Sequence, residues 1–199
     1  MTAVMAVMAL LLTLGVSGLR DTGAQARQVA SERLISMMEQ ARGTAITSHC
    51  FVVLALAEPG ELPSKDERSH LGLFKIKEWP ADPATLDGTL LHRWLELPSG
   101  VVMLPGSVSG LHNPRDEAQT TIRYPAGKQV LQGRFHILAF TPRGTLHWPA
   151  GSDPLALRIA EGVYRNGQPF PNTRGGDRRV AENLVKIGRL TGRPYQFDR

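Results

Sequence analysis

Only one cysteine, Cys50, stands among the 199 residues, so no disulfide within the chain braces the fold. That scarcity neither requires nor excludes an oxidising compartment. Phe51, Val52 and Val53 follow the thiol, which places it at the buried start of a strand rather than in the role of a nucleophile. Catalytic spacings are equally scarce. Gly106-Ser107-Val108-Ser109-Gly110 has valine where a nucleophile elbow needs serine. The histidines at 49, 70, 92, 112, 136 and 147 stand singly, with no pair at metal-ligand spacing. Gly175-Gly176 lacks the following Lys-Ser/Thr and the preceding strand of a phosphate loop. Asp82, Asp87, Asp116 and Glu117 fall in loops that could hold calcium, but no Asp-x-Asp series supports it. The expectation is a protein without catalytic residues, cofactor, metal or small-molecule substrate. Internal repeats and low-complexity tracts are also missing.

Charge is absent from residues 1–19 (MTAVMAVMALLLTLGVSGL), and proline is absent until Pro59. Nineteen residues at helical rise reach about 28 Å, close to the roughly 30 Å hydrocarbon core of a bilayer. Ala3, Ala6, Leu10, Leu11, Leu12, Leu14, Gly15 and Gly18 are the candidate membrane and assembly surface, the small residues permitting close helix approach. A cleaved signal peptide is the competing reading. Ala24-Gln25-Ala26 would serve as its site, but no Lys or Arg precedes the apolar core. A buried helix of a larger globule is the other.

Beyond Arg20 and Asp21 the helical spacing continues. Ala30, Leu34, Met38, Ala41 and Ala45 recur at steps of three and four, leaving Glu32, Arg33, Glu39, Gln40 and Arg42 mostly off the stripe. Leu34, Met38, Ala41 and Ala45 are the candidate helix-to-sheet packing residues. The spacing therefore predicts a spine helix over 1–48, membrane-spanning at 1–19 and amphipathic at 20–48. One globular domain follows over 49–199.

That domain reads as strand-rich. Strands are expected at 49–57, 71–77, 89–97, 100–104 (pairing across the Pro98-Ser99-Gly100 turn), 120–124 as a small edge, and 134–140 as a central strand. Pro142-Arg143-Gly144 turns the last into 145–148, and further strands are expected at 155–164, 182–190 and 193–197. Residues 105–119 read as a surface loop and 165–177 as a flexible one. The fold class expected is α+β: a long N-terminal helix, then an antiparallel sheet or sandwich.

The net charge of +5 is uneven. Residues 165–199 hold eight basic side chains against three acidic, while the rest of the chain is balanced. Arg178, Arg179, Lys186, Arg189, Arg193 and Arg199 are the candidate nucleic-acid contacts, a plain solvated surface being the alternative.

Three stretches, in order, resemble the pseudopilin H and FimT-like group of the type IV pilin superfamily. The helix end Leu34-Ile35-Ser36-Met37-Met38-Glu39-Gln40-Ala41-Arg42-Gly43-Thr44-Ala45-Ile46 is similar to their helix leading into a first strand. Ile137-Leu138-Ala139-Phe140-Thr141-Pro142-Arg143-Gly144 resembles their I.F.P.G hairpin, and Val185-Lys186-Ile187-Gly188-Arg189-Leu190-Thr191-Gly192-Arg193 their closing strand. The resemblance implies a pilin-like fold and a non-catalytic minor subunit. Such a subunit is anchored once in a bacterial inner membrane, with its C-terminal domain in the periplasm. Its partners are other pilin-like subunits and inner-membrane lipid. The family's leader, cleavage glycine and Phe-Thr-Leu-x-Glu opening are missing, so the true start is expected upstream of Met1. Two alternatives stand beside this reading. One is a FimT-like pilin whose basic tail binds DNA, although the Gly-Arg-x-Arg motif is not met at Gly188-Arg189 or Gly192-Arg193. The other is a secreted or membrane-tethered β-domain binding module.

Overall fold

The computed structural model describes residues 22–62, 67–108, 110–173 and 180–197. It contains, among these, one α-helix and thirteen strands. Helix α1 runs Thr22–Ser48. The strands are β1 Phe51–Ala57, β2 His70–Ile76, β3 Thr85–Asp87, β4 Thr89–Leu90, β5 Leu95–Glu96, β6 Val101–Leu104 and β7 Thr120–Ala126. They continue as β8 Gln129–Phe140, β9 Leu146–Trp148, β10 Leu155–Arg165, β11 Gln168–Pro171, β12 Glu182–Ile187 and β13 Pro194–Phe197.

Helix α1 ends where the chain turns at His49, whose φ of 49° lies in the left-handed region. Cys50 N–H still reaches the Ala45 carbonyl at 3.3 Å, and β1 leaves at once. The stripe Ala30, Leu34, Met38, Ala41 and Ala45 is fully buried. It is enclosed from two sides. β1, β2 and β8 supply Val52, Leu54, Leu56, Leu71, Leu73, Leu138 and Phe140, and the second sheet supplies Leu157, Ile159, Val185 and Ile187.

The first sheet curls into a nearly closed barrel. Its strands run β2–β1–β8–β7 antiparallel, and β3 then adds to β7 in parallel. Directly after Gly88 the chain becomes β4 and pairs with β2, so one short crossing segment, residues 85–90, touches both ends of the sheet. Gly88 N–H to Arg123 O at 2.9 Å and Leu91 N–H to Leu73 O at 2.8 Å fasten the seam. Inside lie Phe74, Ile76, Leu86, Ile122, Tyr124 and Phe135, with Val53, Ala55 and Ala139 leaving room for the rings. Trp94 folds over Gly72 and stacks against Phe74 and Phe135. Alternate residues of β1 therefore face two different cores, and almost the whole strand is buried.

The second sheet has the order β11–β10–β12–β13, with β6 also on β10. Arg27 pins α1 to it, donating to Glu161 at 3.0 Å, Asn183 at 3.0 Å and the Ala181 carbonyl at 3.0 Å.

The expected pilin-like fold is corrected. The described residues are mostly strand, and their one α-helix packs its apolar stripe between two sheets, leaving Glu32, Ser36 and Gln40 exposed, rather than forming a spine beside one. The first sheet closes on itself, which a simple antiparallel layer would not do. The expected single-pass placement in a bacterial inner membrane is corrected as well. No helix among the described residues is long and apolar enough to cross a membrane. Helix α1 carries Arg27, Glu32, Arg33, Glu39 and Arg42, and its apolar side is already used by protein. The span expected at residues 1–19 lies outside the described residues.

Smaller expectations shift too. The strand expected at 89–97 is two short pieces, because its middle turns so that Trp94 can cover Gly72. β6 does not pair across the Pro98-Ser99-Gly100 turn but with β10, Val101 opposite Glu161. β7 is no outer edge: it continues through Pro125 and lies between β8 and β3. Part of the loop expected at 165–177 forms β11, paired to β10 from Gly162 to Arg165.

Candidate functional site

The three stretches that carry the resemblance come together in space. Arg42, on the last turns of α1, donates through Nε to the Thr191 carbonyl at 2.8 Å. The β8–β9 turn closes with Gly144 N–H on Thr141 O at 2.8 Å, and Thr141 Oγ1 lies 2.7 Å from Thr145 Oγ1. The turn after β12 closes with Gly192 N–H on Gly188 O at 2.6 Å. Leu146 N–H then donates to Arg189 O at 2.9 Å, joining the two turns.

Two glycines make this approach possible. At Gly192 (φ 62°) a methyl group would lie 2.1 Å from the Gly144 carbonyl oxygen and 3.3 Å from Arg42 Cδ. At Gly144 (φ 78°) one would lie 2.7 Å from Ile46 Cδ1. Both positions also need the left-handed backbone that glycine adopts freely. Beside this junction two apolar side chains face solvent: Leu190, 88% exposed, and Ile46, 36% exposed. Arg42 also pairs with Glu39 at 3.6 Å. What the site offers is a backbone junction with two apolar residues at its rim.

The packing residues Leu34, Met38, Ala41 and Ala45 lie in the core between the two sheets. Ala3, Ala6, Leu10, Leu11, Leu12, Leu14, Gly15 and Gly18 lie outside the described residues, as do Arg178, Arg179 and Arg199. The remaining basic candidates do different jobs. Arg189 donates to the carbonyls of Asp153 and Pro149, tying the 149–153 loop to the β12–β13 turn. Lys186 sits 3.5 Å from the Phe197 ring centroid, a cation–π contact. Arg193 is exposed.

Loop acids are occupied locally. Asp82 accepts from Ala84 N–H at 3.0 Å, and Asp116 accepts from Gly106 N–H at 2.7 Å and the Ser107 hydroxyl at 2.9 Å. Asp87 pairs with Arg123 at 2.8 Å, and Glu117 with His112 at 2.9 Å. No group of His, Cys, Asp and Glu able to hold a metal occurs among the described residues. Sequence reasoning gave no role to Arg115, which lies in the segment read as a surface loop. Its guanidinium is buried, pairs with Glu58 and donates to the Met103 carbonyl, while Asn113 caps its turn. Beside it the half-buried His136 imidazole is pushed below its ordinary value, by burial first and by the Arg115 charge second.

Two cavities flank the barrel, and neither was legible as a motif. The smaller, about 280 Å³, lies under residues 60–62 against Tyr124, Leu131 and Phe135. The Glu61 carboxyl there accepts from Gln119 and from Glu58 N–H at 2.7 Å. Burial pushes it up to about 7, Gln119 and Arg134 pulling the other way. The larger, about 590 Å³, is a groove along the barrel seam.

No known family matches the chain, nor does any curated protein or solved structure.

Proposed function

We propose that the chain is a non-catalytic assembly subunit of the minor-pseudopilin kind, working in a filament that serves type II secretion or a type IV pilus. One observation carries the reading. Stretches far apart in sequence, each resembling that group, meet as a single junction of Arg42, Gly144, Thr191 and Gly192. The exposed Leu190 and Ile46 at its rim supply apolar area that a pilin-like partner subunit would cover.

Deleting the coding sequence tests it. Secretion or piliation falls, the intact gene restores it, and a Leu190→Asp copy restores it less while the protein stays folded. Cross-linking in cells then joins the chain to pilin-like subunits. A deletion that changes neither process, with no cross-link to such subunits, removes the proposal.

Contact with DNA is a second reading, favoured by one observation. Lys186 and Tyr195 stand opposite each other on β12 and β13, with Phe197 on the same face and Arg193 exposed at the turn. Aromatic rings among cations are the components of a stacking platform for single strands. A gel shift at low ionic strength, lost on raising salt and weakened in Arg193→Glu, supports it; no shift at low salt ends it.

A further inference from the structure

The barrel seam holds a groove that the assembly reading does not use. Its floor is Leu86, Gly88 and the buried Tyr124. One wall is the end of β2 with the residues just beyond it, Lys75, Lys77, Glu78 and Pro80; the other is the β7–β8 hairpin, Arg123, Pro125 and Val130. The groove exists because the strand that closes the barrel is so short. β3 and β4 together pair only five residues across the seam, and Gly88 between them has no side chain.

Three features of this groove point to one class of ligand. Its volume, about 590 Å³, suits a small molecule and falls within the usual range of ligand pockets, about 300–1,000 Å³. Apolar surface lines it, and Val130 in particular is 72% exposed, unusual for a β-branched residue on a strand. Its charge is cationic where it is free. Arg123 is matched by Asp87, whereas among the described residues neither Lys75, near the end of β2, nor Lys77, just beyond it, has an ion-pair partner, and both line the groove. Glu78 is the remaining acid on the lining, one carboxylate against two ammonium groups.

We propose that this groove binds an amphipathic organic anion. The apolar body lies on Tyr124, Pro125 and Val130, and the carboxylate or sulfonate head is held by Lys75 and Lys77. The site is independent of the junction at Gly192 and of the assembly reading, so either can fail alone.

The test uses the full chain at low ionic strength with anilinonaphthalene sulfonate as the probe, followed by its fluorescence, and with dodecanoate and dodecanol as competitors. A single saturable site is expected. The double variant Lys75→Glu with Lys77→Glu weakens it tenfold or more, and so does Val130→Asp, while Leu190→Asp, at an exposed apolar residue elsewhere, leaves it unchanged. Dodecanoate displaces the probe at lower concentration than dodecanol does. Circular dichroism of each variant verifies that the fold is retained. The proposal is overturned by the absence of a saturable site, by an affinity indifferent to both groove variants in folded protein, or by dodecanol competing as well as dodecanoate.

Discussion

Gly192 and Gly43 respond in opposite ways to the same substitution. A methyl group at Gly43 meets nothing within 4 Å on the helix surface, so Gly43→Ala raises stability by about 0.5–1 kcal/mol through helix propensity. At Gly192 the methyl group strikes a backbone carbonyl and the residue must hold φ at 62°. Gly192→Ala therefore costs at least about 2 kcal/mol, and paired urea unfolding curves measure both. Glu61 makes a prediction in pH. Its carboxyl is raised from an ordinary 4.5 to about 7 in the folded chain, so the folded state binds the proton more tightly than the unfolded one. Its contribution is most favourable below the ordinary value and is lost as pH rises from there to about 7. Glu61→Gln removes that loss: urea midpoints of variant and parent lie closest near pH 4.5, and the variant is the more stable at pH 8. An equal gap at both pH values would refute the assignment. Neither constraint was legible beforehand. A glycine in a turn and a glutamate in a polar loop look ordinary until the carbonyl and the aromatic wall opposite them are known.

Helix α1 was the most legible element, because a stripe at steps of three and four needs only local spacing to recognise. Leu34 at the middle of that stripe is fully buried, and Leu34→Ala leaves a cavity costing about 2–5 kcal/mol. Ser36→Ala, on the exposed side, stays within about 0.5 kcal/mol. Calorimetric midpoints separate the two, and equal effects would deny that the helix is wedged between the sheets. β8 was readable for the same reason as α1, its run of Phe135, Ile137 and Leu138 announcing a strand with both faces covered. The segment 89–97 misled because alternation is necessary for a strand and not sufficient. Leu91 and Leu95 fit the pattern, yet Trp94 is drawn off the line by the space over Gly72. β6 misled for another reason. Its turn predicts a local hairpin, but its best partner, β10, enters the chain some fifty residues later, and partner choice is not a local quantity.

At the scale of the molecule, β1 belongs to two cores at once: Val52, Leu54 and Leu56 face the helix, while Val53, Ala55 and Ala57 face the barrel. Neither core closes without that strand, so barrel and helix layer are expected to unfold together. Tryptophan emission reports the barrel through Trp79, Trp94 and Trp148, which all pack against its core, and ellipticity at 222 nm reports α1. The two transitions coincide in urea, and a helix that melts first would separate the cores. What the amino-acid order determined alone was local: the apolar stripe from Ala30 to Ala45, the strand-rich character after Cys50, and the turns at Gly144 and Gly192. Periodicity and turn chemistry act over a few residues and leave their mark there. Only the tertiary structure decided that residues 85–90 reach both β7 and β2, that the sheet curls shut, that α1 lies between two sheets, and that Lys75, Lys77 and Val130 line one groove at the seam. Those outcomes depend on which distant surfaces exclude water best against each other, and that competition is settled across the whole chain at once.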